Sequence, residues 1–414
     1  MWRRTIATGL TLAALTLALA ACGSTGGAGG AGGGPTPTAT ATPIPACTTW
    51  KIITSPAATQ YAQSHLAGVS ALSPTDAWAV GMNTAGEGNN LAASLIERWD
   101  GSAWRLVTNP GAAFLNGVAA VSAQDVWAVG VEPSTVSSGS QILIEHWNGT
   151  QWSVVPAPIP GQTNSGLNSV AAQTAKSVWA AGYFNGLGYN PQPLIERWDG
   201  SAWRVVSSPL LANATAGSFS ALGSIPGSSQ LWAVGSVRYG APPSTGGIGY
   251  FQPLIERWNG SAWQASASPT LPSGALAGAL KGVVALSATD AWAVGNYTAS
   301  DHTIRALIAH WNGTSWTVAS SPDEWGELAG VAAVGARDVR AVGYHMTGAE
   351  GSAPIGIVEQ WNGAAWSVSE SPTPQGVTHS SLDAIATDGA GGYWAVGAYP
   401  NADSISQALI ARCA

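Results

Sequence analysis

The chain has 414 residues, 46% of them hydrophobic and only 9% charged, with a formal net charge of −7. That balance leaves no basic stripe to neutralise phosphates, which argues against nucleic acid as a partner. Beyond the N-terminal segment, no hydrophobic stretch approaches the length that spans a bilayer.

The first element is that N-terminal segment. Arg3 and Arg4 precede an apolar run from Ile6 to Ala21, and Leu19-Ala20-Ala21-Cys22 closes it with small residues. This pattern resembles the signal peptide of bacterial lipoproteins. The resemblance implies a signal over residues 1–21, cleavage before Cys22, lipidation of Cys22, and an extracytoplasmic protein lipid-anchored to the cell envelope. Residues 22–46 follow as a lipidated Cys and a Gly/Thr/Pro-rich tether of too low complexity to build a core.

From residue 47 to 414 the chain repeats itself about every fifty residues. One unit contains an apolar segment Leu66 to Leu72, then Asp76-Ala77-Trp78-Ala79-Val80-Gly81, then Leu95-Ile96-Glu97-Arg98-Trp99-Asp100-Gly101, then Ala103-Trp104. The first Trp returns as Trp127, Trp179, Trp232, Trp292 and Trp394, with Arg340 once in its place. The pair five apart returns as Trp147/Trp152, Trp198/Trp203, Trp258/Trp263, Trp311/Trp316 and Trp361/Trp366. Short runs rich in Val, Ile, Leu and Trp suit strands rather than helices. Asp-Gly or Asn-Gly before the last run signals a hairpin, since both residue types tolerate positive φ. Asp76, Asp125, Asp290 and Asp338 read as turn caps bonding backbone amides just downstream. Seven such units predict an all-β fold, a seven-bladed β-propeller of four-stranded antiparallel blades.

The seventh unit stops at Cys413-Ala414 without its last strand, and Cys47 to Ile52 aligns with Gly101 to Leu106. The N-terminal strand is therefore expected to pair into the last blade and close the ring, which hides sheet edges. Cys413 takes the slot of Trp99 and Cys47 that of Gly101, so a Cys47–Cys413 disulfide is expected across the missing hairpin.

In such a meander two of the four connections keep constant length. The loop after Ala-Val-Gly and the crossing to the next blade vary, and both fall on one face, where binding residues are expected. The candidate ligand-binding residues are Tyr183, Phe184, Tyr189, Tyr239, Tyr250, Phe251, Tyr297, His302, Trp325, Tyr344, His345 and Tyr399. The tyrosines read as lying in the loops after Ala-Val-Gly. Two readings stay open for them, adaptable contact area for a ligand or rings capping strand ends and packing under their own loops. The recurring Glu97, Glu145, Glu196, Glu256 and Glu359, and the Arg, His or Gln after each, read as bonds within or between blades, because catalysis is not needed in every blade.

No metal-ligand spacing, nucleophile elbow or phosphate loop occurs, so no catalytic residue, metal or cofactor is expected. A glycosidase pair from Glu87, Asp301, Asp323 or Glu324 stays open as an alternative. The repeat resembles the kelch and galactose-oxidase-like propellers and tandem-repeat propeller lipoproteins of bacteria. It differs from kelch in carrying Ala-Val-Gly and paired tryptophans in place of the kelch Gly-Gly pair. The copper-radical cofactor of galactose oxidase needs a Cys cross-linked to a Tyr, and here every Cys is otherwise committed. The resulting expectation is a monomer that binds a glycan or protein partner through the variable face. It would touch the membrane through its lipid only. A carbohydrate-active hydrolase or lyase on the same face is the alternative.

Overall fold

The computed structural model describes residues 47–57, 63–84, 92–111, 114–133, 139–158, 160, 163–185, 190–209, 213–240, 250–323, 325–346 and 353–414. Cys22, the signal, the tether, Tyr189, Glu87 and Glu324 lie outside them. The strands form seven four-stranded antiparallel sheets. In the first blade, strands a to d are Gln63–Ser73, Asp76–Thr84, Ala92–Trp99 and Trp104–Leu106. The later a strands are Phe114–Ser122, Thr163–Thr174, Ala214–Ser224, Ala277–Ser287, Gly326–Gly335 and Ser381–Thr387. Each packs on the next, and the seventh packs on the first, so the a strands form the inner wall of a closed ring.

The inner wall explains the Ala-Val-Gly signature. Every a strand carries a register shift between a buried Leu or Phe and a small residue: Leu66/Gly68, Leu115/Gly117, Leu167/Ser169, Phe219/Ala221, Leu280/Gly282, Leu328/Gly330 and Leu382/Ala384. Such a bulge inserts one residue and bends the strand. The backbone is thereby driven against strand b. A β-carbon at Gly81 would lie 1.9 Å from the His65 carbonyl oxygen, and at Gly130, Gly182, Gly235, Gly295, Gly343 and Gly397 the same clash is 1.9 to 2.1 Å. None of these seven has positive φ. Close approach of backbone to backbone is the requirement there.

The tryptophans join one blade to the next. Trp78 packs on Trp147 and Trp152 of the second blade, Trp127 on Trp198 and Trp203, Trp179 on Trp258 and Trp263, Trp232 on Trp311 and Trp316, Trp292 on Trp361 and Trp366, and Trp394 on Trp99 and Trp104. In each triad the strand b and strand d rings meet edge to face at 5.1 to 5.6 Å, the arrangement their quadrupoles favour. A cross-strand cation or imidazole covers the strand b ring: Arg98, Arg197, Arg257 and Arg412 at 4.8 to 5.0 Å, His146 at 4.1 Å and His310 at 4.2 Å.

Those same groups correct the turn-cap reading of the aspartates. Asp76 accepts two bonds of 3.0 Å from Arg98, Asp125 meets His146 at 2.8 Å, Asp290 meets His310 at 2.9 Å, and Asp338 meets Arg340 at 3.4 Å. Before Asp76, Asp125 and Asp290 a serine three residues earlier caps the turn instead, Ser73, Ser122 and Ser287 accepting from the Thr75, Gln124 and Thr289 amides. The outer hairpin also works differently from the expectation. Only the glycine takes positive φ, 93° to 104° at Gly101, Gly149, Gly200, Gly260, Gly313 and Gly363. The preceding Asp or Asn acts through its side chain, Asp100 Oδ1 accepting from the Ser102 and Ala103 amides at 2.9 Å.

Closure occurs where the sequence places it. Trp50–Ile52 is the outer strand of the last blade, Trp50 pairing with Cys413. Cys47 and Cys413 are disulfide-bonded and buried, with Cα atoms 5.4 Å apart. This is the joint where Arg340 replaces the strand b tryptophan. Its guanidinium, 1% exposed, lies 4.7 Å from the Tyr393 ring and 5.9 Å from the Trp50 ring, and donates to the Cys47 carbonyl. Six joints are indole triads and the seventh is an arginine packed on a disulfide.

Buried glutamates tie the crossing segments to the blades. Glu97 accepts from Ser55 Oγ at 2.6 Å and the Ala57 amide at 3.1 Å, Glu256 from Ser208 Oγ at 2.8 Å, and Glu359 from Ser321 Oγ at 2.7 Å. Each donor belongs to the segment arriving from the preceding blade. Burial pushes the carboxyls of Glu97, Glu145, Glu256 and Glu359 from 4.5 up to about 7, with their donors holding them back. Glu196, with no donor among the described residues, is pushed to about 8 by burial alone.

Two outcomes follow from these joints. Cys47→Ser/Cys413→Ser is expected to lower stability by on the order of 5 kcal/mol if unfolded-chain entropy dominates; scanning calorimetry of the variant against the oxidised protein measures it, and equal midpoints would refute the role of the bridge. The raised carboxyls bind a proton more tightly folded than unfolded, so the stability they contribute is full below pH 4.5 and is lost as pH rises through about 7 to 8. The unfolding midpoint should be higher at pH 5 than at pH 8. Glu196→Gln should recover on the order of 3 kcal/mol at pH 8 and change little at pH 5.

Candidate functional site

Strands b and c run on past the Ala-Val-Gly glycine, which corrects the loop placement of the aromatics. Tyr183 and Phe184 lie in Ser177–Asn185, Tyr239 in Leu231–Tyr239, Tyr250 and Phe251 in Tyr250–Trp258, Tyr297 in Asp290–Thr298, Tyr344 and His345 in Asp338–Met346, and Tyr399 in Tyr393–Pro400. The pairs Tyr239↔Tyr250 and Tyr297↔Arg305 are ladder partners. Tyr and Phe are good strand formers, so they prolong the hairpin instead of leaving it.

Strand alternation then divides them. Phe184, Tyr297 and Tyr399, two residues after the glycine, and Tyr239 pack against the cores between blades. Tyr183 and Tyr344, one residue after it, face the other side of their sheets. Phe251 is 45% exposed, and His302 sits exposed in a turn with φ 65°. Trp325 is half-buried, its carbonyl accepting from the Met346 amide at 3.0 Å, and His345 Nδ1 lies 3.5 Å from Asp323 Oδ2. The eleven of these residues that the structure describes therefore spread over the third to the seventh blade and do not converge on one spot. Tyr239 and Tyr250 pair on the fourth blade with ring centroids 5.7 Å apart, and Trp325, Tyr344 and His345 gather on the sixth.

A tighter cluster lies on the inner wall, made by residues absent from that set. The residue one before the small bulge residue in one blade faces the residues two and three before it in the next. Asn116 Nδ2 donates to the Leu167 carbonyl at 2.9 Å and Asn168 Nδ2 to the Phe219 carbonyl at 2.7 Å, so in the second and third blades this position merely ties neighbouring strands. Titratable side chains face each other instead where the fifth blade meets the sixth and where the seventh meets the first. Lys281 Nζ lies 3.8 Å from Glu327 Oε1, and His65 Nε2 lies 2.6 Å from Asp383 Oδ2, which Ser381 Oγ also approaches at 3.3 Å. Tyr344 is the ladder partner of Glu327; burial, together with Glu327 and Asp383, pushes its phenol up, so it holds its proton at neutral pH.

These groups sit in the first half of strand a, nearer the crossing segment than the tight turn to strand b. They therefore belong to the end of the ring where the variable loops emerge. Lys281, Glu327 and Asp383 are the only formally charged residues in the seven a strands. Every other a strand position is small, apolar or neutral polar, or is His65. The signal that finds them in sequence is departure from the repeat, whereas aromatic content draws attention to positions that turn out to be core. Beside His65, the described residues Gln63, Ser64, His65, Met82, Ala398 and Ser406 line a cavity of about 260 Å³ where the seventh blade meets the first.

No protein-family model matches this chain. No curated protein matches it either. Solved structures do. YCF48 bound to D1 peptide is 14% identical and covers 89% of this chain and 99% of its own, with a TM-score of 0.52. The polysaccharide lyase Uly1 is 8% identical, covers 84% and 89%, and has a TM-score of 0.55. An ulvan lyase of family PL25 bound to -[GlcA(1-4)Rha3S]- is 8% identical, covers 81% and 89%, and has a TM-score of 0.51. At such identities the likeness is one of fold, and the kelch and galactose-oxidase resemblance extends to architecture alone.

Proposed function

We propose that the protein is a cell-surface recognition module which binds a glycan at the variable end of its ring, centred on the fifth, sixth, seventh and first blades, without turnover. The observation that carries this reading is the convergence of Lys281, Glu327, Tyr344, Asp383 and His65. The repeat departs from its pattern at these positions in four adjacent blades, at one end. Carboxylates, an ammonium, an imidazole and a phenol in half-buried positions supply directional hydrogen bonds of the kind that fix a polyhydroxylated ligand. The two lyases with this fold, one bound to a sugar chain, support a glycan over the peptide that YCF48 carries.

A second reading rests on the His65–Asp383 pair. A carboxylate at 2.6 Å orients the imidazole, and the proton-bearing Tyr344 stands near the same carboxylate, so a base and an acid are at hand. A lyase or hydrolase on this face would use them. We further propose that the protein is a lipoprotein attached through Cys22, with residues 22–46 as spacer. The buried Cys47–Cys413 disulfide is in keeping with an oxidising compartment.

A glycan array probed with residues 47–414, produced oxidised, tests the main reading. Specific binding is expected, reduced at least tenfold in Lys281→Ala/Tyr344→Phe with an unchanged unfolding midpoint. A blank array from folded protein would refute the glycan reading. Shortened or unsaturated products from a bound glycan, lost in His65→Ala, would replace recognition by catalysis.

A further inference from the structure

The cavity between the seventh and first blades has a composition that selects among sugars. Its described lining holds no Asp, Glu, Lys or Arg: Gln63, Ser64, His65 and Ser406 are polar, and Met82 and Ala398 are apolar. Two of the polar groups are already engaged in holding the blades together. Ser64 Oγ is bound by the Ala408 amide at 2.9 Å, and Ser406 Oγ donates to the Ser64 carbonyl at 3.4 Å. His65 gives Nε2 to Asp383, which leaves Nδ1 as the ring nitrogen for a ligand. Gln63 is exposed at the rim and offers both an amide donor and an acceptor. At about 260 Å³ the space falls below the ~300–1,000 Å³ of typical small-molecule pockets, so it suits one ring and not a length of chain.

Electrostatics narrows the class. Asp383 lies directly behind His65, and the one cation of the inner wall, Lys281, is two blades away beside Glu327. A carboxylated sugar placed here would face Asp383 with no Lys or Arg in the described lining, and like charges at short range in a half-buried site repel. We infer that this cavity takes a single uncharged pyranose unit of the glycan, its hydroxyls on Gln63, His65 and Ser406 and a C–H face on Met82 and Ala398, and that Asp383 excludes uronates. Asp383 acts here as a positioning and excluding residue, since it reaches the ligand through His65. The inference rests on the glycan reading above and adds the subsite and the sugar class.

Saturation-transfer NMR on the oxidised protein decides it, with methyl glucoside, methyl galactoside, methyl mannoside and methyl N-acetylglucosaminide as neutral probes and methyl glucuronide as the anionic one. Transfer to at least one neutral probe is expected, and none to the glucuronide. Ala398→Leu, which fills the cavity without removing a hydrogen bond, should abolish transfer, and Gln63→Ala, at the exposed rim, should weaken binding about tenfold. Asp383→Asn should raise transfer to the glucuronide relative to the neutral probes. Transfer that survives in Ala398→Leu would overturn the subsite while leaving glycan recognition elsewhere on the face intact. Glucuronide binding equal to that of the neutral probes in the unmodified protein would overturn the sugar class. Silence from every probe, together with a blank array, would remove both readings.

Discussion

Seven carbonyl oxygens, one per blade, occupy the place where an ordinary residue in strand b would put its β-carbon. The ring depends on this contact. Each a strand must bulge to follow the inner wall, the bulge presses its backbone onto strand b, and only glycine leaves room. The small residue just after the bulge lets neighbouring a strands approach in turn, so that a β-carbon on Gly68 would stand 3.1 Å from the Gly117 Cα. Curvature of the ring is thus set at its narrowest part by backbone sterics and then filled outward by side chains.

Outward filling is done by groups that link blades in sequence. Each indole triad joins a strand b to the hairpin of the following blade, Glu97, Glu256 and Glu359 hold the crossing segments that precede their own blades, and Arg98, His146, Arg257, His310 and Arg412 over the strand b rings are themselves fixed by an aspartate or Gln230. Every blade depends on its neighbours for these contacts, as repeat proteins do when no single unit can bury its own faces. Rigidity of this kind leaves the inner-wall positions near the variable end free to carry groups that folding does not require.

The fold was legible because its determinants repeat. Ala-Val-Gly, the tryptophan pairs and the Asp/Asn-Gly turns recur at fixed offsets, and the pairing of Trp50–Ile52 into the last blade could be read from the alignment of Cys47 to Ile52 with Gly101 to Leu106. Side-chain partners were less legible. Asp76 looks like a turn cap in the sequence because its bond to Arg98 crosses between strands 22 residues apart, a relation fixed by sheet register. The site was hardest to see, because aromatic content was the cue. Tyr297 and Tyr399 serve the cores between blades, whereas Lys281 and Asp383 are single departures in segments that otherwise look like filler. Their meeting with Glu327 and His65 depends on the stagger between adjacent a strands, which no within-unit pattern reveals.

The arginine seam has a consequence for how the ring counts its blades. Seven units built to one pattern could in principle exchange places, and a closing strand that suits one sheet would suit another. Arg340 removes that ambiguity. Set against a tryptophan pair it would bury a cation beside two indoles with no backbone acceptor, while beside Cys413 and Cys47 it finds a carbonyl, the sulfur edge and the faces of Tyr393 and Trp50. One residue thereby acts as an index mark, telling an otherwise periodic chain where its first and last members must meet.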